Sequence, residues 1–99
     1  MQTTITKKDL CERVARKTDN KNVAVKEGIQ TFLDEIIGEL SQGNRIELRD
    51  FGVFEIRKRA ARKARNPRTG EEAFVPPKNV VVFKVGKLMR EKVYNVQIT

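Results

Sequence analysis

A basic stretch in the second half of the chain carries the side chains with the clearest chemical purpose. It runs from Arg57 to Gly70 with the sequence RKRAARKARNPRTG, and it holds seven cations and no acid. Cations packed this densely repel one another, and charges buried without partners are costly. The stretch therefore predicts a segment that projects into solvent or onto an anionic partner rather than into a core.

The end of this basic stretch has a composition typical of a tight turn. Asn66 and Pro67 are residue types favoured at the first two positions of a type I turn. Gly70 follows closely and can take the positive φ that such a turn often needs next. We therefore predict a basic strand that reaches a sharp turn and returns, which makes a hairpin arm.

Length and charge limit what the rest of the chain can be. The 99 residues fit one domain, and a low apolar fraction of 38% leaves little to bury in a domain of this size. If the arm is exposed, the remainder needs a partner subunit to complete its core. The net charge of +8 favours a polyanion as partner, with nucleic acid ahead of a membrane surface.

Residue types that are rare or missing argue against several functions. The chain has no histidine and one cysteine, Cys11, so it cannot build an intramolecular disulfide or a thiolate–imidazole metal site. No histidine can activate Cys11 as a nucleophile, and we expect it to be a small apolar residue of a helix. Without a glycine-rich phosphate loop, and with only scattered carboxylates, we expect neither an enzyme nor a cofactor.

Membrane and export signals are also missing from the sequence. Every apolar run is shorter than the roughly 18 residues of a membrane span. The first ten residues, MQTTITKKDL, lack the apolar core of a signal peptide. We therefore expect a cytoplasmic protein that does not engage a membrane or a small-molecule substrate.

Two helices are predicted before the basic stretch. Thr6 followed by Asp9 is a variant of the capping box that starts the first helix. The second helix covers about residues 23–41 and carries a wide apolar stripe of Val25, Ile29, Phe32, Leu33, Ile36, Ile37 and Leu40. Because this stripe is wider than a short first helix can cover, we infer that it also packs across a subunit boundary. The alternative is the core helix of a monomer.

Strands and a last helix are predicted after residue 44. Residues 45–48 and 51–56 have strand patterns, and the second of these runs into the arm. The return strand is interrupted by Pro76-Pro77, which a central strand does not tolerate, so we place the junction of arm and body there. The apolar run 80–83 predicts a central strand. A short helix over about 86–93 should turn Leu88, Met89 and Val93 inward, and a frayed tail should follow to Thr99.

The predicted architecture is α+β: a two-helix base, a three-stranded antiparallel sheet with a long protruding β-arm, and a short C-terminal helix. This order resembles the bacterial HU and integration host factor family of DNA-bending proteins over nearly the whole chain, from about residue 5 to 93. Three segments carry the resemblance: Phe51-Gly52-Val53-Phe54, the arm residues 59–70, and residues 83–87 with the sequence FKVGK. The Asn-Pro-x-Thr-Gly sequence after spaced arginines is its most specific part.

The resemblance implies an intertwined homodimer whose two β-arms wrap the minor groove of double-stranded DNA. Pro67 would be the wedge between base pairs that kinks the duplex. The implied arm contacts are Arg57, Arg59, Arg62, Lys63, Arg65, Asn66, Pro67, Arg68 and Thr69. The implied contacts on the saddle between the arms are Lys84, Lys87, Arg90 and Lys7. The implied dimer core is Phe32, Leu33, Ile36, Leu40, Phe51, Phe54 and Phe83.

Two positions separate this chain from common family patterns. Ala64 stands where many members carry glycine before the arm-tip arginine. Val85-Gly86 stands where integration host factor subunits typically have Pro-Gly, which favours a nucleoid-associated, HU-like protein of low sequence specificity. The alternatives are a sequence-preferring integration-host-factor-like subunit and a basic RNA-binding protein of the ribosomal type. The wide stripe of the second helix argues against the ribosomal type, because it favours a dimer.

Overall fold

The computed structural model describes residues 2–98, so Met1 and Thr99, which the predicted domain includes, lie outside the described residues. The elements are α1 (Lys7–Thr18), α2 (Asn22–Ser41), β1 (Ile46–Leu48), β2 (Gly52–Arg59), β3 (Arg62–Arg65), β4 (Glu72–Val75), β5 (Lys78–Val85) and α3 (Lys87–Val93). This order confirms the predicted α+β class with its two-helix base, antiparallel sheet, arm and short last helix. Among the described residues, no helix is long and apolar enough to cross a membrane.

The capping box predicted at the start of α1 is present. The Thr6 hydroxyl accepts a hydrogen bond from the Asp9 backbone N–H at 3.2 Å, and the Asp9 carboxylate accepts one from the Thr6 N–H at 3.0 Å. Two donors that the first turn would leave unpaired are thereby satisfied. Cys11 and Ala15 are the buried residues of this helix, which confirms Cys11 as a small packed residue.

The body sheet has the order β1-β2-β5, and all its pairs are antiparallel. This order corrects the prediction for residues 80–83: β2 is the central strand, and β5 lies at the edge. Along β5, Val80 and Val82 are half-buried, whereas Val81 is 56% exposed. The continuous apolar run therefore reflects two apolar faces of one edge strand, and one of these faces is uncovered in the single chain.

The arm is a second, two-stranded sheet formed by β3 and β4. Its ladder pairs Arg62 with Val75 at the base and Arg65 with Glu72 near the tip. Ala60-Ala61 interrupts the outgoing strand, and Pro76-Pro77 interrupts the returning strand, as predicted for the junction of arm and body. Proline cannot donate to a ladder, so the hydrogen bonding of the body sheet stops at this level.

The single chain buries very little apolar surface. Among the described residues, Cys11 and Ala15 are the only buried hydrophobic side chains. The prediction that Leu88, Met89 and Val93 of α3 point inward is wrong for two of them in the single chain. Leu88 is 50% and Val93 is 52% exposed, and only Met89 is half-buried. The apolar residues of the helix therefore remain largely exposed, and the described elements cover them only at Met89.

Candidate nucleic-acid interface

The tip of the arm is closed by backbone hydrogen bonds around Pro67. The Asn66 N–H donates to the Glu71 carbonyl at 2.8 Å, and the Gly70 N–H donates to the Asn66 carbonyl at 2.8 Å. Gly70 has a φ of 75°, as the sequence predicts. The second bond spans one residue more than the bond of a simple β-turn. The Asn66 side chain also accepts from the Arg68 N–H at 2.9 Å, and Pro67 is the first residue of the 67–69 turn that these bonds close.

The cations of the arm lie on both faces of its two-stranded ribbon. Successive strand residues point to opposite faces, so Lys63 and Arg65 share one face and Arg62 lies on the other. All three side chains are exposed. A ribbon with cations on both faces can contact two phosphate backbones at once, as insertion into a groove requires.

One ion pair in the arm crosses the ladder next to the tip. The Arg65 guanidinium lies 3.7 Å from the Glu72 carboxylate, and the two side chains are 70% and 61% exposed. Ion pairs this open to water are weak and are screened by salt. Arg65 is therefore free to exchange Glu72 for a phosphate.

The junction of arm and body forms a cationic hollow of about 380 Å³. Its lining consists of Arg59, Ala60, Arg62, Val75, Pro76, Lys78 and Val80. The register of β2 and β5 places Lys78 directly opposite Arg59. Lys78 is a cation of the arm base that the sequence interpretation missed, although its position directly after Pro76-Pro77 could have indicated it.

The predicted arm residue Arg57 and the predicted saddle residue Lys84 meet on one carboxylate. Glu55 Oε1 lies 3.0 Å from Lys84 Nζ and 3.0 Å from Arg57 Nη2, and Glu55 Oε2 lies 3.9 Å from Arg45 Nε. The Glu55 side chain is only 20% exposed. Hydrogen bonds hold the pKa of the Glu55 carboxyl below its usual range, and the one from Lys84 has a larger effect than the one from Arg57. The sequence interpretation missed Glu55 because it considered only the cations.

The other predicted saddle residues are not gathered at this carboxylate. Lys87 and Arg90 are exposed residues of α3, with Lys87 in its first position and Arg90 in its last turn. Lys7 opens α1, and its ammonium donates to the Gln30 side chain of α2. Lys7 is therefore held on the helical base, whereas Lys84 lies on the body sheet, so these two predicted saddle residues belong to different parts of the fold.

The residues predicted for the dimer core fall into two groups. Phe54 and Phe51 lie against Phe83, with ring centroids 4.7 Å and 5.5 Å apart. On α2, Phe32 is 53% and Leu33 is 37% exposed. The half-buried members of the predicted core are Ile36, Leu40 and Phe54. The described elements therefore cover this apolar surface only in part, and it stays most open at Phe32 and Phe51.

The arm also exposes an aromatic residue that the sequence interpretation did not assign. Phe74 is 69% exposed and lies directly opposite Lys63 in the arm ladder. An aromatic side chain on a basic ribbon can pack on sugars or bases while its neighbours contact phosphates. Its position in the return strand of the predicted arm, before Pro76-Pro77, was the available signal.

Comparison with a family model gives a match over most of the chain. The model described as "Bacterial DNA-binding protein" matches residues 5–94. The matched region includes both helices of the base, the body sheet, the arm and α3.

Two curated proteins and two solved structures are similar to this chain. The DNA-binding protein HU of Thermotoga maritima is 43% identical over 89 residues, which are 90% of this chain and 99% of that protein. The integration host factor subunit alpha of Actinobacillus succinogenes is 38% identical over 91% of this chain and 92% of its own length. An Anabaena HU–DNA cocrystal structure superposes with a TM-score of 0.85 at 37% identity, over 93% of this chain and all of that chain. The structure of an HU mutant from Thermotoga maritima gives 0.67 at 34% identity, over 90% of this chain and 99% of that chain.

Proposed function

The chain belongs to the family of bacterial DNA-binding proteins, and from this membership we propose that it bends double-stranded DNA by inserting its arms into the minor groove. The observation that carries the proposal is the arm itself, a basic two-stranded ribbon with Pro67 in the turn that joins its strands. The similar Anabaena protein was crystallised with DNA, which supports a nucleic-acid partner for this fold.

Pro67 is the proposed wedge of the bending step. An apolar wedge partly unstacks one base step at a cost of a few kcal/mol, and contacts with the bent DNA offset that cost. Proline suits this position because it has no N–H donor that insertion would leave unpaired. The hydrogen bonds between Asn66 and both Glu71 and Gly70 hold the tip in shape, so little further ordering is needed on binding.

The arm arginines are the proposed groove contacts. Arg62 and Arg65 project from opposite faces of the ribbon, and a planar, weakly hydrated guanidinium loses little when it enters a narrow, negative groove. The remaining proposed arm contacts are Arg57, Arg59, Lys63, Asn66, Arg68 and Thr69. The proposed contacts on the body are Lys84, Lys87, Arg90 and, at the edge of the track, Lys7.

The active form that we propose is a homodimer of one HU-like domain per chain, with arms formed by about residues 57–77. The exposed apolar side chains of α2 and the body sheet, among them Phe32, Ile37 and Val81, support it, because large apolar patches are uncommon on monomers. Two arms on one dimer would grip the duplex at two points. The minor groove distinguishes mainly A·T from G·C pairs, so we expect low sequence specificity and a location in the nucleoid.

A fluorescence measurement tests the bending step. A duplex of about three helical turns is labelled at both ends and titrated with the wild-type protein and with Pro67→Ala. The wild type should shorten the distance between the labels. Pro67→Ala should still bind, because its cations are intact, but should shorten that distance less.

A matched control separates the wedge from a general loss of proline. Pro77→Ala removes a proline from the junction of the same arm and should bend DNA like the wild type. The amide of Gly70 reports on the tip, and it should remain protected in Pro67→Ala. If the wild type binds without shortening the duplex, or if both variants bend it equally, Pro67 is not the wedge.

The similarity to an integration host factor subunit favours one second candidate, a protein that prefers particular sequences. Competition between two duplexes of equal length and different sequence distinguishes the candidates. Near-equal affinities support the HU-like function, whereas a ratio of about 10³ or more supports specific binding.

A further inference from the structure

We propose that Glu55 is a built-in competitor of DNA, which holds Lys84 and Arg57 until backbone phosphates displace it. This inference rests on the proposed function and adds to it a residue that regulates affinity. The two cations meet on a single oxygen of Glu55, each at 3.0 Å. Arg57 also donates to the same oxygen through Nε at 3.1 Å, so DNA that contacts both cations must break two ion pairs.

The position of Glu55 explains why the competition is direct. Val53, Glu55 and Arg57 alternate along β2 and point to one face of the body sheet. Lys84 lies opposite Val53 on the neighbouring strand, so it shares this face. Glu55 therefore stands between a cation of the arm base and a cation of the body, on the path that links the two proposed contact regions.

The surroundings of the Glu55 carboxylate allow it to compete effectively with phosphates for the two cations. Its side chain is 20% exposed, whereas those of Arg57 and Lys84 are 54% and 52% exposed. The anion is thus fixed in the sheet, while both cations can swing away from it into solvent. Arg45 lies 3.9 Å from the second oxygen and would keep Glu55 partly neutralised after the exchange.

Glu55→Gln tests the competition, and Glu47→Gln is its matched control. Glu47 pairs with Val53 in the ladder, so it lies on the same face, and it makes no ion pair among residues 2–98. Both changes remove one negative charge. Glu55→Gln should bind duplex DNA about fivefold more tightly than Glu47→Gln at equal salt, because it also frees two cations.

The salt dependence of binding and a double variant provide two measurements that a change in net charge alone would not explain. The log–log slope of binding against salt should be steeper by about 1 in Glu55→Gln than in Glu47→Gln. Lys84→Gln should weaken binding more in the Glu55→Gln background than in the wild type, because only there is Lys84 unoccupied before binding. Equal affinities of the two single variants, or weaker binding by Glu55→Gln, would overturn the inference.

A measurement on the wild type does not depend on the folding of any variant. The pKa of the Glu55 carboxyl is followed by NMR with and without duplex DNA. The charged groups that face it are Arg57 on β2, Lys84 on β5, and Arg45 and Glu47 on the side of β1. DNA should raise this pKa, because it removes two cations and brings phosphates near. An unchanged value would refute the exchange, whereas a wild type that binds no duplex at low salt would instead refute the proposed function.

Discussion

Phe54 and Phe83 face each other across β2 and β5, with ring centroids 4.7 Å apart and ring planes tilted by 46°. Phe83 nevertheless remains 36% exposed. The aromatic cluster of the sheet is therefore open on one side, and Phe32 on α2 is open to solvent as well. Two apolar surfaces of this kind in one small chain are where the second copy of the proposed homodimer would pack.

The first prediction concerns this dimer. The solution mass should be near twice 11.4 kDa. Phe32→Ala should destabilise the dimer by about 3–5 kcal/mol if the partner buries the ring. Melting at several protein concentrations measures the effect, since dissociation makes the midpoint depend on concentration.

Phe74→Ala is the control for that prediction. It removes the same side chain from the arm, where Phe74 is 69% exposed. Melting of this variant should match that of the wild type. A monomeric wild type, or equal effects of the two substitutions, would show that the stripe of α2 serves another purpose.

The second prediction concerns the number of phosphates that the arm contacts. Each neutralised phosphate adds a log–log slope of about −0.9 on B-DNA. Arg62→Gln should therefore make the slope shallower by about 1. Arg16→Gln, a change in the last turn of α1 and outside the proposed interface, should leave it unchanged. A wild-type affinity that hardly varies between low and physiological salt would contradict electrostatic binding by the arm.

The helix ends and the interruptions of the arm could be predicted from the sequence because their causes are local. Thr6 and Asp9 are three residues apart, and Pro76-Pro77 breaks a ladder wherever it occurs. The edge position of β5 could not be predicted in this way. Apolar residues at both Val80 and Val81 indicate two apolar faces, but they do not show whether a strand of the same chain or a second chain covers each face.

The sequence suggests most cations of the candidate site, though not Lys78, but it does not show which of them form ion pairs. Glu55 and Arg57 share a face by simple alternation along β2. The approach of Lys84 depends on the register that pairs it with Val53, a relationship between residues that are far apart in sequence. Without that register, Arg57 and Lys84 belong to separate regions of the predicted interface, and the role of Glu55 is hidden.

The third prediction concerns Gly52, where β2 and β5 approach closely. A Cβ at this position would lie 2.4 Å from the Phe83 ring and 2.6 Å from the Lys84 carbonyl oxygen. Gly52→Ala should therefore destabilise the protein by about 1–3 kcal/mol or more, as overpacking does. Urea unfolding measures the change. Gly52→Ala should cost less in a Phe83→Leu background than in the wild type, but it should still cost stability there, because the clash with the backbone oxygen remains. A Gly52→Ala variant as stable as the wild type would mean that the strands are farther apart.

The fourth prediction concerns acid and the start of α1. The pKa of the Asp9 carboxyl lies below its ordinary value of 3.8. The main cause is the hydrogen bond from the Thr6 backbone N–H, and a hydrogen bond with the Thr6 side chain is the second cause. A carboxyl whose pKa is lower in the folded state stabilises the fold fully above its unfolded pKa. That contribution should disappear as the pH falls below 3.8 and through the folded value.

Asp9→Asn isolates this contribution, since it keeps the shape of the side chain and removes its charge. Urea midpoints measured from pH 6 down to pH 2 should show the wild type more stable than Asp9→Asn at the upper end, with the two converging in acid. Glu12→Gln removes another exposed acid of α1 that makes no ion pair within the described part of the chain, and it is the control for the loss of one negative charge from this helix. If the gap between wild type and Asp9→Asn were constant over the whole range, the capping box would act through shape alone and not through the charge of Asp9.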